Sequence, residues 1–203
     1  MLQSGHIFIV SAASGTGKTT LVSRLSANQP DIHISISHTT RMPRAGEQNG
    51  VHYHFVSRSK FEEMIADNAF IEHANVYGNY YGTSLKAVES LTQQGYNVIL
   101  EIDVQGAEQI RRLLPDATSI FILPPSMTEL TERLQNRGTD SEDVIAYRLE
   151  KSREEIAQSI LFDYVIVNQE LTQAEQDLLA IIRSVGLRAQ AQSQTVTRIL
   201  AGE

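Results

Sequence analysis

The chain has 203 residues, 24 acidic against 17 basic side chains, a formal net charge of −7 and no cysteine. The missing cysteines exclude disulfides and thiolate metal sites, and the acidic balance argues against a general nucleic-acid or anionic-membrane surface, so an anionic ligand must be met by local positive clusters. No apolar run is long enough to span a bilayer and no basic, apolar leader opens the chain; the expectation is a cytoplasmic protein of one domain with lobes.

The first element carries the most chemistry. An apolar strand, Ile7-Phe8-Ile9-Val10, runs into Ser11-Ala12-Ala13-Ser14-Gly15-Thr16-Gly17-Lys18-Thr19-Thr20. Strand, glycine-rich turn and helix in that order form a phosphate-binding loop. Gly15 and Gly17 permit positive φ and bring N–H groups close to phosphate oxygens, and the helix start adds its dipole. Ala12, Ala13, Ser14, Gly15, Thr16 and Gly17 build the ATP loop, Lys18 supplies a cation for the β- and γ-phosphates, and Thr19 offers a hydroxyl to Mg²⁺. Ala12 stands where the strict pattern has glycine.

A helix over 19–28 follows, with Leu21, Val22 and Leu25 on one face and Pro30 beyond its end. The texture then turns to short β-like pieces at 34–37, 51–56 and 70–76, with a helix between the last two opened by a Ser59-x-x-Glu62 capping box. This pattern predicts an inserted lobe. Strand and helix alternate again through a helix over 85–94 stopped by Gly95, a strand over 97–102, a helix over 107–114 and a strand over 119–123. Ser126-x-x-Glu129 caps the next helix, Gly138 ends it, and Asp140-Ser141 opens a long charged one. A strand over 164–167 precedes a helix capped by Thr172-x-x-Glu175, and from Gly186 the chain reads as a helical extension rich in Gln, Ser, Thr and Ala. The alternation predicts an α/β fold with a doubly wound, mainly parallel sheet and a ligand at the carboxyl ends of its strands.

Arg41 and Arg44 stand three residues apart around Pro43, either as two forks closing on one phosphate or as a solvated basic turn. Glu101 and Asp103, two apart at a strand end, share a face; they orient Mg²⁺-bound water, meet a ribose and base, or form a plain acid pair. His52 and His54 also share a strand face, but a zinc site is rejected because no cysteine or paired helical histidine completes it.

The Ser37-His-Thr-Thr-Arg-Met-Pro-Arg44 segment is followed by Gly50-Val51-His52-Tyr53-His54-Phe55, Phe70-Ile71-Glu72, Gly78-Asn79-Tyr80-Tyr81-Gly82-Thr83 and Glu101-Ile102-Asp103-Val104-Gln105-Gly106. Together these resemble the guanylate kinase family over residues 5–184. The resemblance implies a P-loop core (5–36 and 91–184), a GMP-binding lobe (37–90), a helical lid near 128–152, and an extension over 185–203. It further implies MgATP and GMP as substrates: Arg41, Arg44, Tyr53 and Tyr81 on the GMP phosphate, Ser37, Glu72 and Thr83 on the base, and Glu101 and Asp103 nearby. The arginines matching the lid, Arg137 and Arg148, would bracket the transferring phosphoryl group, with Arg133 beside them, and Asn168 would meet adenine or begin a turn. Guanine presents two adjacent donors, N1–H and the 2-amino group, which one carboxylate accepts together, whereas adenine presents an acceptor at N1. A sugar-phosphate kinase would lack Glu72, Tyr81 and Thr83, and the peptide-binding modules of scaffold proteins would have a degraded phosphate loop.

Overall fold

A computed structural model of the protein describes residues 5–136 and 142–202. Five parallel strands form the central sheet: β1 (Ile7–Ala12), β2 (Ile32–Ile34), β7 (Asn97–Glu101), β8 (Thr118–Leu123) and β9 (Tyr164–Val167), in the order β2-β7-β1-β8-β9. Inserted in the chain between β2 and β7 is a second sheet of four strands: β3 (His38–Thr39), β4 (His54–Phe55), β5 (Phe70–Val76) and β6 (Asn79–Ser84), ordered β4-β3-β6-β5. The helices are α1 (Lys18–Asn28), α2 (Arg58–Ala66), α3 (Leu85–Gln93), α4 (Val104–Leu113), α5 (Met127–Asn136), α6 (Glu142–Ala157), α7 (Leu171–Gly186) and α8 (Ser193–Ala201).

The apolar runs of the central strands follow from helices covering both faces of a parallel sheet. On one face Phe8, Val10, Ile99 and Ile120 pack against Leu21 and Leu25 of α1 and Leu178 and Ile182 of α7. On the other, Ile9, Leu100 and Phe121 meet Val88 of α3 and Ile110 of α4. Alternate residues of one strand therefore serve two cores. At about 25 cal/mol per Å² of apolar surface, these layers supply the main favourable term in folding.

Several elements differ from the sequence reading, each for a local reason. The strand expected at 34–37 divides: β2 ends at Ile34 in the large sheet and β3 begins at His38 in the small one, so 35–37 crosses between sheets. The strand expected over 51–56 shrinks to β4 because residues 48–53 turn, with Val51 N–H donating to the Gln48 carbonyl at 3.2 Å. Strand β6 was not expected: Tyr80, Tyr81 and Thr83 favour a strand, but Asn79, Gly82 and Ser84 interrupt the run with turn-forming residues. Ser57, not Ser59, caps α2, accepting from Lys60 N–H at 3.2 Å. At α7, Thr172 already lies inside the helix and Glu175 pairs instead with Arg24 at 2.6 Å. The Ser126 cap holds, accepting from Glu129 N–H at 3.1 Å. Gly138, Asp140 and Ser141 lie outside the described residues. The small sheet closes at Ser84, and α3, two thirds of which the expected lobe boundary at 90 would include, sends Val88 and Leu91 into the core.

Candidate active site

The carboxyl ends of β1 and β7 open into a cleft of about 360 Å³, walled on the far side by the small sheet and by α6. This is the crevice that strand order favours in open α/β sheets.

The phosphate loop joins β1 to α1. Gly15 and Gly17 have φ of +93° and +89°, in the region that disfavours any side chain. At Gly17 space demands the same residue, because a Cβ there would lie 2.7 Å from Asn168 Nδ2. The Thr16 hydroxyl donates to the Ala13 carbonyl at 2.9 Å, while the Thr16 carbonyl accepts from Asn168 Nδ2 at 2.8 Å and from an Arg133 guanidinium nitrogen at 3.2 Å. The end of β9 and helix α5 thus hold the loop from behind. Asn168 is buried against the loop and does not line the cleft. Lys18 Nζ donates to the Ile102 carbonyl at 3.0 Å, at the cleft floor, and the Thr19 hydroxyl donates to the Glu101 carboxylate.

Asp103 caps α4: its Oδ1 accepts from Gly106 N–H at 2.9 Å, an arrangement typically worth about 1 kcal/mol. That role limits its freedom to serve anything else. Across the cleft, Glu72 of β5 is 4% exposed, with Oε1 accepting from the Thr83 hydroxyl at 2.5 Å and the Ser37 hydroxyl 3.3 Å behind it. Burial raises the Glu72 carboxyl to about 7, the Thr83 hydrogen bond opposes the rise and the Asp103 charge adds to it. A carboxyl raised in the folded state contributes stability that is full below its unfolded value, near 4.5, and lost as pH climbs through about 7. Glu72→Gln should therefore stabilise the ligand-free protein increasingly from pH 5 to pH 8, reaching about 2–3 kcal/mol at one pKa unit per 1.4 kcal/mol. Denaturant titrations at the two pH values check this, and an equal effect at both would contradict the buried carboxyl.

The two arginines of the small lobe meet at one acid. Arg41 pairs with Glu47 at 2.8 Å, and Arg44 N–H donates to the other Glu47 oxygen at 2.6 Å. The Arg41 guanidinium lies 5.5 Å from the Tyr53 ring centroid, and the Tyr53 and Tyr81 rings meet edge to face at 5.9 Å. Burial, with the Glu101 charge second, pushes the Tyr53 hydroxyl up to about 12, so it is a hydrogen-bond donor throughout the neutral range. Arg44, Tyr53, Tyr81, Glu72, Glu101 and Arg148 all line the same cleft as the loop. Arg137 lies outside the described residues.

Three residues of this site are absent from the sequence reading. Glu47 is the acid shared by the two arginines. Tyr77, with φ of +51° at the tip of the β5–β6 hairpin, puts its ring 6.0 Å from the Tyr147 ring and 5.9 Å from the Arg148 guanidinium carbon, so the hairpin touches α6 across the cleft. Glu155 lies on α6 beside the loop, its Oε2 buried without a hydrogen-bond partner among the described residues and its carboxyl raised to about 7 by burial and then by Asp103, against Lys18 and the Ser14 N–H. Only the spacing of Glu155, seven residues after Arg148 and so on one helix face, was available as a signal.

The guanylate kinase family model matches residues 4–185. The guanylate kinase of Neisseria gonorrhoeae is 59% identical over 198 residues, covering 98% of this chain and 97% of that protein, and that of Acinetobacter baylyi is 50% identical over 191 residues, covering 94% and 92%. The crystal structure of guanylate kinase from Anaplasma phagocytophilum superposes with a TM-score of 0.76 at 33% identity, covering 96% of this chain and 98% of that one. The chain thus belongs to the guanylate kinase family.

Proposed function

We propose that this chain, like the relatives named guanylate kinase, is a kinase of GMP that transfers the γ-phosphoryl group of MgATP to GMP, giving ADP and GDP. The observation that carries the reading is the Glu72 carboxylate, buried opposite the phosphate loop and flanked by Thr83 and Ser37. In this reading an oxygen of the GMP phosphate attacks the γ-phosphorus in line, and the bond from that phosphorus to the bridging oxygen of ADP breaks. Charge spreads over the equatorial oxygens in a loose transition state, so fixed cations do most of the work. Lys18 meets the β- and γ-phosphates, with Arg148 and Arg137 as the lid cations. Arg41 and Arg44 take the acceptor phosphate, with Glu47 giving up its hold on the Arg41 guanidinium, and Tyr53 and Tyr81 donate hydroxyls. Glu72, Ser37 and Thr83 read guanine, and Asp103 and Glu101 close the space between the two nucleotides. The cytoplasm, with its purine nucleotide pool, is the setting this reading implies.

Mg²⁺ fits the residues present, because a hydroxyl and a carboxylate already joined at the loop, Thr19 and Glu101, are the hard oxygen donors it takes. Thr19 would hold it directly with the phosphates, and Glu101 would orient its water; when bound it neutralises phosphate charge. A coupled ADP-release assay comparing GMP, AMP, UMP and CMP at fixed MgATP tests the whole reading. GMP should exceed every other acceptor by at least about two orders of magnitude, since a buried acceptor left unpaired discriminates strongly. Equal use of AMP, or ADP release that no nucleotide stimulates, would overturn it.

A further inference from the structure

Helix α4 reaches beyond the core to the small sheet, where β5 is the edge strand. The Gln109 side chain donates through Nε2 to the His73 carbonyl at 2.8 Å and accepts from His73 N–H at 3.3 Å. One amide therefore pairs both outward backbone groups of the residue next to Glu72. One turn earlier on the same helix, Gly106 lies directly against the Glu72 side chain: a Cβ built there would stand 2.5 Å from Oε2 and 3.2 Å from Cδ. Gly106 is not among the residues with positive φ, so its backbone conformation does not call for glycine; the space does. Glycine inside a helix is otherwise disfavoured. The other carboxylate oxygen is held by Thr83, so a hydroxyl fixes Oε1 while Oε2 occupies the space that any side chain at 106 would need.

We infer that Gly106 and Gln109 are positioning residues that set the depth and register at which Glu72 meets the acceptor base, and through it the preference for a purine bearing two adjacent donors. This rests on the reading of Glu72 as the base-reading carboxylate. A side chain at 106 leaves helix α4 intact and forces the carboxylate to move, so selectivity suffers while folding does not. Loss of the Gln109 amide frees β5 to shift against the helix.

IMP is the discriminating probe, because hypoxanthine keeps N1–H and lacks the 2-amino group. The experiment measures KM for GMP, the inhibition constant of IMP against GMP, KM for MgATP and Tm for the parent, Gly106→Ala, Gln109→Leu and Glu72→Gln. Gly106→Ala should narrow the preference for GMP over IMP at least fivefold, with KM for MgATP within twofold of the parent and Tm unchanged or higher. Gln109→Leu should narrow it in the same direction. Adding Glu72→Asp to Gly106→Ala shortens the acid by one methylene and should recover part of the preference. If Glu72→Gln narrows the preference while Gly106→Ala keeps the parental value, whatever its Tm, the positioning role is overturned and the reading of Glu72 stands. If Glu72→Gln itself keeps the parental preference, the reading of Glu72 falls first and the inference falls with it.

Discussion

Lys18→Met should lower kcat for phosphoryl transfer by about three orders of magnitude while leaving the fold intact. The substitution preserves the stem and removes the only charge, and that charge lies at the cleft floor, 3.0 Å from the Ile102 carbonyl. Losing this hydrogen bond costs about 1 kcal/mol, a shift of a few degrees in Tm for a domain this size. Catalysis should fall much further, since the ammonium acts where charge moves between the β- and γ-phosphates in a site shielded from water. Single-turnover kinetics with circular dichroism of the same preparation separate the two effects. Turnover within tenfold of the parent would remove the phosphate-loop assignment.

Arg148→Ala should reduce kcat by about 10²–10³-fold and change KM for either nucleotide by no more than a few-fold, the mark of a contact made chiefly in the transition state. The residue lines the cleft from α6, and its guanidinium carbon sits 5.9 Å from the ring centroid of Tyr77. Cation and ring attract by roughly 0.5–1 kcal/mol at such partly exposed sites. Steady-state kinetics with each substrate varied in turn decide the matter. A change confined to KM would mean ground-state binding alone, and no change would make Arg148 a surface residue of the helix.

The phosphate loop was legible in the sequence because its chemistry lies in consecutive residues whose order alone specifies strand, turn and helix. The central strands were legible for a related reason, since burial on two faces leaves apolar runs such as Phe8-Ile9-Val10. Sheet order was not, because parallel neighbours such as β1 and β8 are more than a hundred residues apart and no local pattern records the pairing. The site shows the same division. Arg41, Glu72 and Thr83 came from family resemblance, whereas Glu47, Tyr77 and Glu155 became visible only when closure of the chain brought turn, hairpin tip and helix to one cleft. Asn168 came from the same resemblance, as an adenine contact or the start of a turn, and what the structure adds is that its Nδ2 donates to the Thr16 carbonyl.

The elevated carboxyl of Glu72 has a calorimetric consequence. A group raised to about 7 is half protonated in the empty protein at neutral pH, yet two donors of guanine require the ionised form. On the proposed reading of Glu72, GMP therefore displaces a proton from a share of the molecules as it binds. The observed heat of association then depends on the ionisation enthalpy of the buffer that receives that proton, and comparing phosphate with Tris would count the protons released per GMP.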